Sequence, residues 1–164
     1  MSEKALHIRL EQLNPTIGDL KGNRDLILDS IRKAEKDGID VLILPELAVC
    51  GYPPMDLIER EVFRNLCYQI NTEIVAASKT CTVIFGSLTP NETGTGRKCF
   101  NSAIVASNGV IQAQVHKALL PTYDVFDDLR YFEPGDTFEP VMIKGIPFGL
   151  TVCEDIWFND NEIQ

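Results

Sequence analysis

The sequence predicts an α/β fold built on a mixed sheet, because short apolar segments that suit strands alternate along the chain with two amphipathic helical segments. Residues 41–44, Val-Leu-Ile-Leu, are wholly apolar, as expected of a strand that is buried on both faces. Asn108-Gly109 stands between two apolar segments and is a strong signal for a β-hairpin. A hairpin adds an antiparallel pair, so the sheet should be mixed.

The other elements are predicted by the same kinds of pattern. Residues 6–10 alternate between apolar and polar side chains, which indicates the first strand. A helix is predicted over residues 23–36, with Asn23 as its N-cap and Gly38 just beyond its end. A second helix and four further strands are predicted over residues 62–79, 82–88, 102–106, 110–115 and 149–152. The segment 118–137 lies between the last two of these predicted strands and is rich in Asp, Pro and aromatic residues. Irregular segments of that length are usually functional or disordered.

Composition narrows the class of protein. A chain of 164 residues and 18.3 kDa suits one domain with a hydrophobic core. The net charge of −9 leaves no broad basic face for a phosphate backbone, so no nucleic-acid partner is expected. No apolar segment approaches the ~20 residues of a membrane span, and the N-terminus lacks the pattern of a signal peptide, so a cytoplasmic protein is expected. The five cysteines are widely spaced, which predicts free thiols and no metal site.

Three reactive side chains share one kind of position. Glu46, Lys117 and Cys153 each lie at or just beyond the C-terminal end of a predicted strand, the edge where α/β sheets bind ligands. Each has an ordinary explanation when it is taken alone: a solvated carboxylate, a surface lysine and a core thiol. Together they predict a nucleophile, a general base and a cation for an oxyanion. We also expect the strand-to-helix turn at Cys153 to favour the thiolate.

A Cys–His pair is the other nucleophilic arrangement to weigh. The chain has two histidines, His7 and His116. Because neighbouring side chains on a strand point to opposite faces, His116 should point away from the site if Lys117 faces it. We therefore predict that His116 has a structural role and that His7 has no function.

Three sequence blocks resemble the signature blocks of the nitrilase (carbon–nitrogen hydrolase) superfamily in order and approximate spacing. They are residues 42–47 (LILPEL), 116–121 (HKALLP) and 150–155 (LTVCED). Three further segments resemble, more narrowly, the N-terminal glutaminase domains of glutamine-dependent NAD synthetases: residues 48–57, 120–132 and 153–157. The resemblance covers essentially the whole chain.

This resemblance implies a nitrilase-like α-β-β-α sandwich, of which residues 1–164 are an incomplete N-terminal part. It implies hydrolysis of the glutamine side-chain amide through a thioester on Cys153, with Glu46 moving protons and Lys117 holding the oxyanion with the backbone N–H of Glu154. The rest of the domain and an ammonia-using synthetase domain should follow Gln164. ATP and Mg²⁺ are expected only in that absent synthetase domain, and no cofactor is expected for this chain. The family also implies large homo-oligomers with channelled ammonia.

The same resemblance suggests the residues that contact substrate. Tyr123 and Glu154 are expected to bind the backbone groups of glutamine, and Phe126 and Trp157 to form walls of the pocket. Their ordinary explanations are an exposed loop tyrosine, a carboxylate at a helix start and two core aromatics.

Two other functions stay open at this point. The protein could be a stand-alone amidase of the same superfamily that acts on another small amide, or a non-catalytic assembly module that keeps the three residues as scaffold. A Ser-Gly-Gly-x-Asp-Ser loop in the parent protein would favour the synthetase; this chain contains no such loop.

Overall fold

A mixed five-stranded sheet forms the centre of the molecule. The computed structural model describes residues 5–157. Within them the strands are β1 (Ile8–Leu10), β2 (Val41–Ile43), β3 (Thr82–Pro90), β4 (Cys99–Ser107), β5 (Val110–His116), β6 (Val141–Ile143) and β7 (Ile146–Phe148). The order in the sheet is β1-β2-β3-β4-β5, with β1, β2 and β3 parallel and the β3–β4 and β4–β5 pairs antiparallel. The predicted α/β class with a mixed sheet is confirmed.

The β4–β5 hairpin turns where the sequence predicts it. Asn108 and Gly109 have φ values of +55° and +75°, the left-handed backbone that a tight hairpin turn requires. Since β5 ends at His116, Lys117 is the first residue beyond the hairpin. The hairpin therefore delivers Lys117 to the end of the sheet.

The first helix, α1 (Leu20–Lys36), begins three residues earlier than predicted because Asp19, not Asn23, is its N-cap. The Asp19 carboxylate accepts a hydrogen bond from the Gly22 N–H at 3.0 Å. Asn23 is buried instead, and its side chain bridges the backbone of Thr16 and Val49. The loop that follows β2 is thereby tied to α1.

The second helix, α2 (Glu61–Ala77), packs with α1 on one face of the sheet. Ile27, Ile74 and Phe85 are fully buried between these layers. Burial of each such side chain stabilises the fold by roughly 1.5–3 kcal/mol. Among the described helices, none is both long and apolar enough to cross a membrane.

The predicted strand at residues 149–152 is wrong. The structure places the last strands earlier, in the β6–β7 hairpin, which forms a separate two-stranded sheet. Ile143 of that hairpin packs on Val41, Ile84 and Val105 of the main sheet, and Leu150 packs against the same cluster. Residues 149–152 pair with no strand in the part of the chain described. Their apolar character is explained by packing on the face of the sheet.

The irregular segment 118–137 contains one short helix, α3 (Asp128–Tyr131). Two 3₁₀ turns complete the described elements, Met55–Glu59 before α2 and Cys153–Ile156 at the far end. Cys153 therefore opens a 3₁₀ turn, not an α-helix, among the described residues.

Candidate active site

A buried lysine stands between two carboxylates at one end of the main sheet. The Lys117 Nζ lies 2.9 Å from Glu46 Oε1 and 2.7 Å from Asp128 Oδ2. The Lys117 side chain is 1% exposed, so the explanation as a surface lysine is wrong. A charge-assisted hydrogen bond thereby joins Lys117 to Glu46, which lies 71 positions away in the chain. The sequence predicts this proximity, because both residues follow strands that end at one edge of the sheet.

These carboxylates keep the Lys117 ammonium charged. Burial is the largest single influence and lowers the pKa of Lys117, but the charges and hydrogen bonds of Glu46 and Asp128 together outweigh it and raise that pKa. The Tyr52 ring lies 5.9 Å from the ammonium and its hydroxyl donates to Asp128 Oδ1 at 3.0 Å. Lys117 is thus a fixed positive charge at neutral pH.

A second side chain, that of Asn101, also holds the Glu46 carboxylate. The Asn101 amide donates to Glu46 Oε1 at 2.7 Å, and Lys117 donates to the same oxygen. A side chain at Gly86 would overlap the backbone of residues 45–47, so only glycine lets the loop after β2 lie this close to β3. Leu47 has a φ of +46°, which marks the tight bend that aims Glu46 into the site.

Cys153 differs from the other four cysteines, which are buried. It is exposed, so the explanation as a core thiol is wrong. Its φ of +48° is unusual for a residue with a side chain, and it opens the 3₁₀ turn directly beside the site. Cys153 and Glu46 line the same cavity of about 250 Å³.

The Cys153 thiol is protonated at neutral pH. Burial, the Glu46 charge and a hydrogen bond to Glu46 raise its pKa, and the opposing effect of Lys117 is smaller than their sum. The expectation that the turn at Cys153 would favour the thiolate is wrong for this state, because burial and the Glu46 charge raise the thiol pKa. A thiol of this kind needs a base, and Glu46 is the carboxylate that lines the same cavity.

Asp155 links the Cys153 turn to the Lys117 strand end. This 4% exposed carboxylate accepts the backbone N–H groups of Ala118 and Leu119 at 3.1 and 2.9 Å, and of Val152 at 2.9 Å. Three backbone donors fix the two segments relative to each other. The distance between the Cys153 turn and the segment that follows Lys117 is therefore set by hydrogen bonds as well as by packing.

Of the four residues expected to contact substrate, three lie close to one another and one does not. Tyr123 donates to Glu154 Oε1 at 2.7 Å, and its ring meets Phe126 edge-on at 5.6 Å between centroids. Phe126 also lies 6.3 Å from the Tyr52 ring, which joins this group to the buried lysine. Trp157 is 74% exposed and the structure does not bring it to the others. The assignment of these residues to glutamine binding stays a prediction.

His116 has structural partners, as predicted. Its ring stacks on Phe100 at 4.0 Å between centroids, and its Nδ1 lies 2.7 Å from the Ser102 hydroxyl. Burial lowers its pKa, so the ring is neutral at pH 7. His7 is largely exposed.

Sequence analysis missed three residues that hold the site, Asp128, Asn101 and Tyr52. Asp128 lies in the Asp-rich irregular segment and was one acidic residue among several, so no local pattern singled it out. Asn101 is a polar residue within a strand that is otherwise largely buried, which was the available signal. In the described part of the chain, no group of three or more His, Cys, Asp or Glu residues is arranged to hold a metal ion.

The comparison with known families gives the class of protein to which this fold and this site belong. Residues 7–163 match the carbon–nitrogen hydrolase family, and the chain belongs to that family.

Curated relatives within that family are glutamine-dependent NAD(+) synthetases. The one from Thermotoga maritima is 40% identical over 94% of this chain and 26% of its own length, and the one from Synechocystis sp. is 39% identical over 92% and 28%. The structure of the Acinetobacter baumannii glutamine-dependent NAD+ synthetase, solved with ADP, superposes with a TM-score of 0.84 at 33% identity, over 92% of this chain and 28% of that one. The chain thus spans roughly a quarter of the length of these proteins.

Proposed function

We propose that this chain is part of the glutamine amidohydrolase domain of a glutamine-dependent NAD synthetase and that it hydrolyses the side-chain amide of glutamine to glutamate and ammonia. The observation that carries the proposal is the position of Glu46, which hydrogen-bonds the buried Lys117 ammonium and lines one cavity with Cys153. A base, a cation and a nucleophile are then within one site.

The first half of the reaction forms a thioester. Glu46 takes the thiol proton of Cys153, and the sulfur attacks the amide carbon of glutamine, so that a C–S bond forms and the carbonyl oxygen becomes an oxyanion. The Lys117 ammonium and the backbone N–H of Glu154 stabilise that oxyanion. The oxyanion then collapses, the C–N bond breaks, and the proton on Glu46 passes to the leaving nitrogen to give ammonia.

The second half releases glutamate. Glu46, again ionised, takes a proton from water, whose oxygen attacks the thioester carbon. When the second tetrahedral intermediate collapses, the C–S bond breaks and the proton returns from Glu46 to the sulfur of Cys153. While Glu46 carries a proton in each half, the Lys117 ammonium keeps its second carboxylate partner, Asp128, at 2.7 Å.

Selection of glutamine falls to the residues at the mouth of the site. A carboxylate at Glu154 suits the α-amino group of glutamine, and the Tyr123 hydroxyl, which now donates to Glu154, would hold it in place. Phe126 would pack against the methylene groups of the substrate.

The synthetase domain of the parent protein is the proposed partner. The relatives are about four times as long as this chain and carry the words NAD(+) synthetase in their names. In that arrangement ATP and Mg²⁺ belong to the other domain, which uses the ammonia to amidate deamido-NAD, and the parent assembles as a homo-oligomer. A free catalytic thiol also suits a reducing cytoplasm.

The test replaces Cys153 by Ala in the full-length parent and measures glutamate and ammonia released from glutamine. Turnover should fall by about 10³-fold or more, because no other group can form the thioester. Cys81→Ala is the matched control, since Cys81 is a buried thiol whose hydrogen bond goes to the Thr82 carbonyl, outside the site. If Cys153→Ala retains wild-type turnover, the proposal is wrong.

The same assay separates the other two functions. A stand-alone amidase would release ammonia from another small amide in preference to glutamine. An assembly module would release none, and its Cys153 would fail to react with a glutamine-mimicking diazo ketone. Labelling of Cys153, but not of Cys81, would support the glutaminase.

A further inference from the structure

A small basic pocket lies beside the start of α2, apart from the cysteine site. It has a volume of about 150 Å³, and its charged lining consists of Arg64, Arg97, Lys98 and Glu59, with Tyr131 as a further wall. The lining holds three cations and one carboxylate, and the carboxylates of Glu133 and Asp56 contact it from behind through the Arg97 N–H and the Tyr131 hydroxyl. We call these residues the basic pocket.

The two guanidinium groups of the basic pocket are oriented by backbone carbonyls. Arg64 donates to the Ile58 carbonyl at 2.5 Å, and Arg97 Nε donates to the Leu129 carbonyl at 3.1 Å. A carbonyl fixes the direction of a guanidinium group without cancelling its charge.

Other arginines of the chain are neutralised in a way that these two are not. Arg9, Arg24 and Arg32 each lie within 3.2 Å of a carboxylate oxygen. Within the described residues, the guanidinium groups of Arg64 and Arg97 and the ammonium group of Lys98 have no carboxylate oxygen within 4.0 Å. The positive charge of the basic pocket is therefore available to a ligand.

The loop that presents Arg97 is already ordered. The Asn91 amide donates to the Thr95 and Arg97 carbonyls at 2.9 and 2.8 Å, and the Arg97 backbone N–H donates to Glu133 at 2.7 Å. Gly96 suits this position because its φ is +71°, a backbone conformation that residues with a side chain rarely adopt. A ligand would not have to order this loop in order to bind.

We propose that the basic pocket binds a single phosphate group, of which inorganic phosphate is the simplest example. Arginine guanidinium groups match phosphate oxygens in pairs, and lysine adds a third positive charge. The three cations of the basic pocket can donate to phosphate oxygens, and the small volume admits one such group. A longer polyanion would meet the acidic remainder of the surface, which disfavours nucleic acid.

The test is calorimetric titration of the full-length parent with inorganic phosphate at a fixed ionic strength set with sodium chloride. Wild type should show a saturable site that is weakened about tenfold or more in the double variant Arg97→Gln/Lys98→Gln. Comparing variants in one background removes any contribution from phosphate sites elsewhere in the parent. Lys36→Gln, at the exposed end of α1, changes net charge without touching the pocket and should bind phosphate as wild type does.

A single variant guards against misfolding of the double one. Because the described contacts give the Lys98 side chain no hydrogen bond, Lys98→Gln should fold normally and still weaken phosphate binding about threefold or more. Equal phosphate affinity in wild type and Lys98→Gln would overturn the proposal. An equal loss in Lys98→Gln and Lys36→Gln would also overturn it, since the effect would then be one of net charge alone.

Discussion

Replacing Asp128 by Asn should destabilise the chain strongly, although it changes one atom type and no volume. Asp128 is 4% exposed and accepts hydrogen bonds from the Tyr52 hydroxyl and from Lys117 Nζ. Asparagine can keep the Tyr52 bond through its oxygen, but its NH₂ group then faces the ammonium. The charge-assisted bond is lost and two donors oppose each other.

The magnitude follows from these contacts. A hydrogen bond to a charged group contributes about 1.5–3 kcal/mol. Loss of one partner of a buried ion pair costs about 3–5 kcal/mol when the remaining charge is left alone. Lys117 keeps Glu46 at 2.9 Å, so we expect a loss between these limits, about 2–4 kcal/mol in the free energy of unfolding.

Urea denaturation of the 164-residue chain measures this loss. Asp127→Asn is the matched control, because Asp127 is the neighbouring residue and its only described ion pair, with Arg130 at 3.8 Å, is exposed on both sides. That pair should contribute less than about 0.5 kcal/mol. If Asp128→Asn costs no more than Asp127→Asn, the buried network does not stabilise the fold and the reasoning is refuted.

A double-mutant cycle isolates the interaction itself. In a Lys117→Met background there is no buried ammonium to leave unpaired, and Asp128 is itself the unpaired buried charge, so Asp128→Asn should be neutral or stabilising. A coupling energy below about 0.5 kcal/mol would show that Asp128 acts through Tyr52 alone.

Two further predictions concern the nucleophile and the loop that carries its base. Because burial and the Glu46 charge raise the pKa of Cys153, its alkylation by iodoacetamide should stay slow at neutral pH and accelerate only above the ordinary thiol pKa. Glu46→Gln removes the negative charge and should move this onset to lower pH, and an unchanged onset would contradict the assigned cause. Gly86→Ala should displace the 45–47 loop and lower glutamine turnover by about 10²-fold, with Gly38→Ala, whose side chain would meet no atom within 4 Å, as a control that alters stability but keeps turnover.

Local patterns predicted much of the scaffold. The apolar segment at 41–44 and the Asn108-Gly109 turn identified β2 and the β4–β5 hairpin, because strand burial and turn conformation depend on neighbouring residues. The α1 start was misplaced because Asp19 and Asn23 are both good caps, and the choice between them depends on the distant Val49 carbonyl that binds Asn23. The strand predicted at 149–152 failed for a related reason, since an apolar run can pack on a sheet face as well as pair within a sheet.

For the site, the sequence by itself determined that Glu46 and Lys117 follow strands whose ends meet at one edge of the sheet. It placed Cys153 after a strand over residues 149–152 that those residues do not form, so the position of Cys153 came from the tertiary structure. Only the tertiary structure decided that Lys117 is buried and shared with Asp128, that Cys153 is exposed, and that its thiol pKa is raised, not lowered. The physical reason is how far along the chain the residues that decide each property lie from one another. Strand ends are set by periodicity within a few residues, whereas burial and pKa depend on charges and packing contributed by segments that lie far apart in the chain.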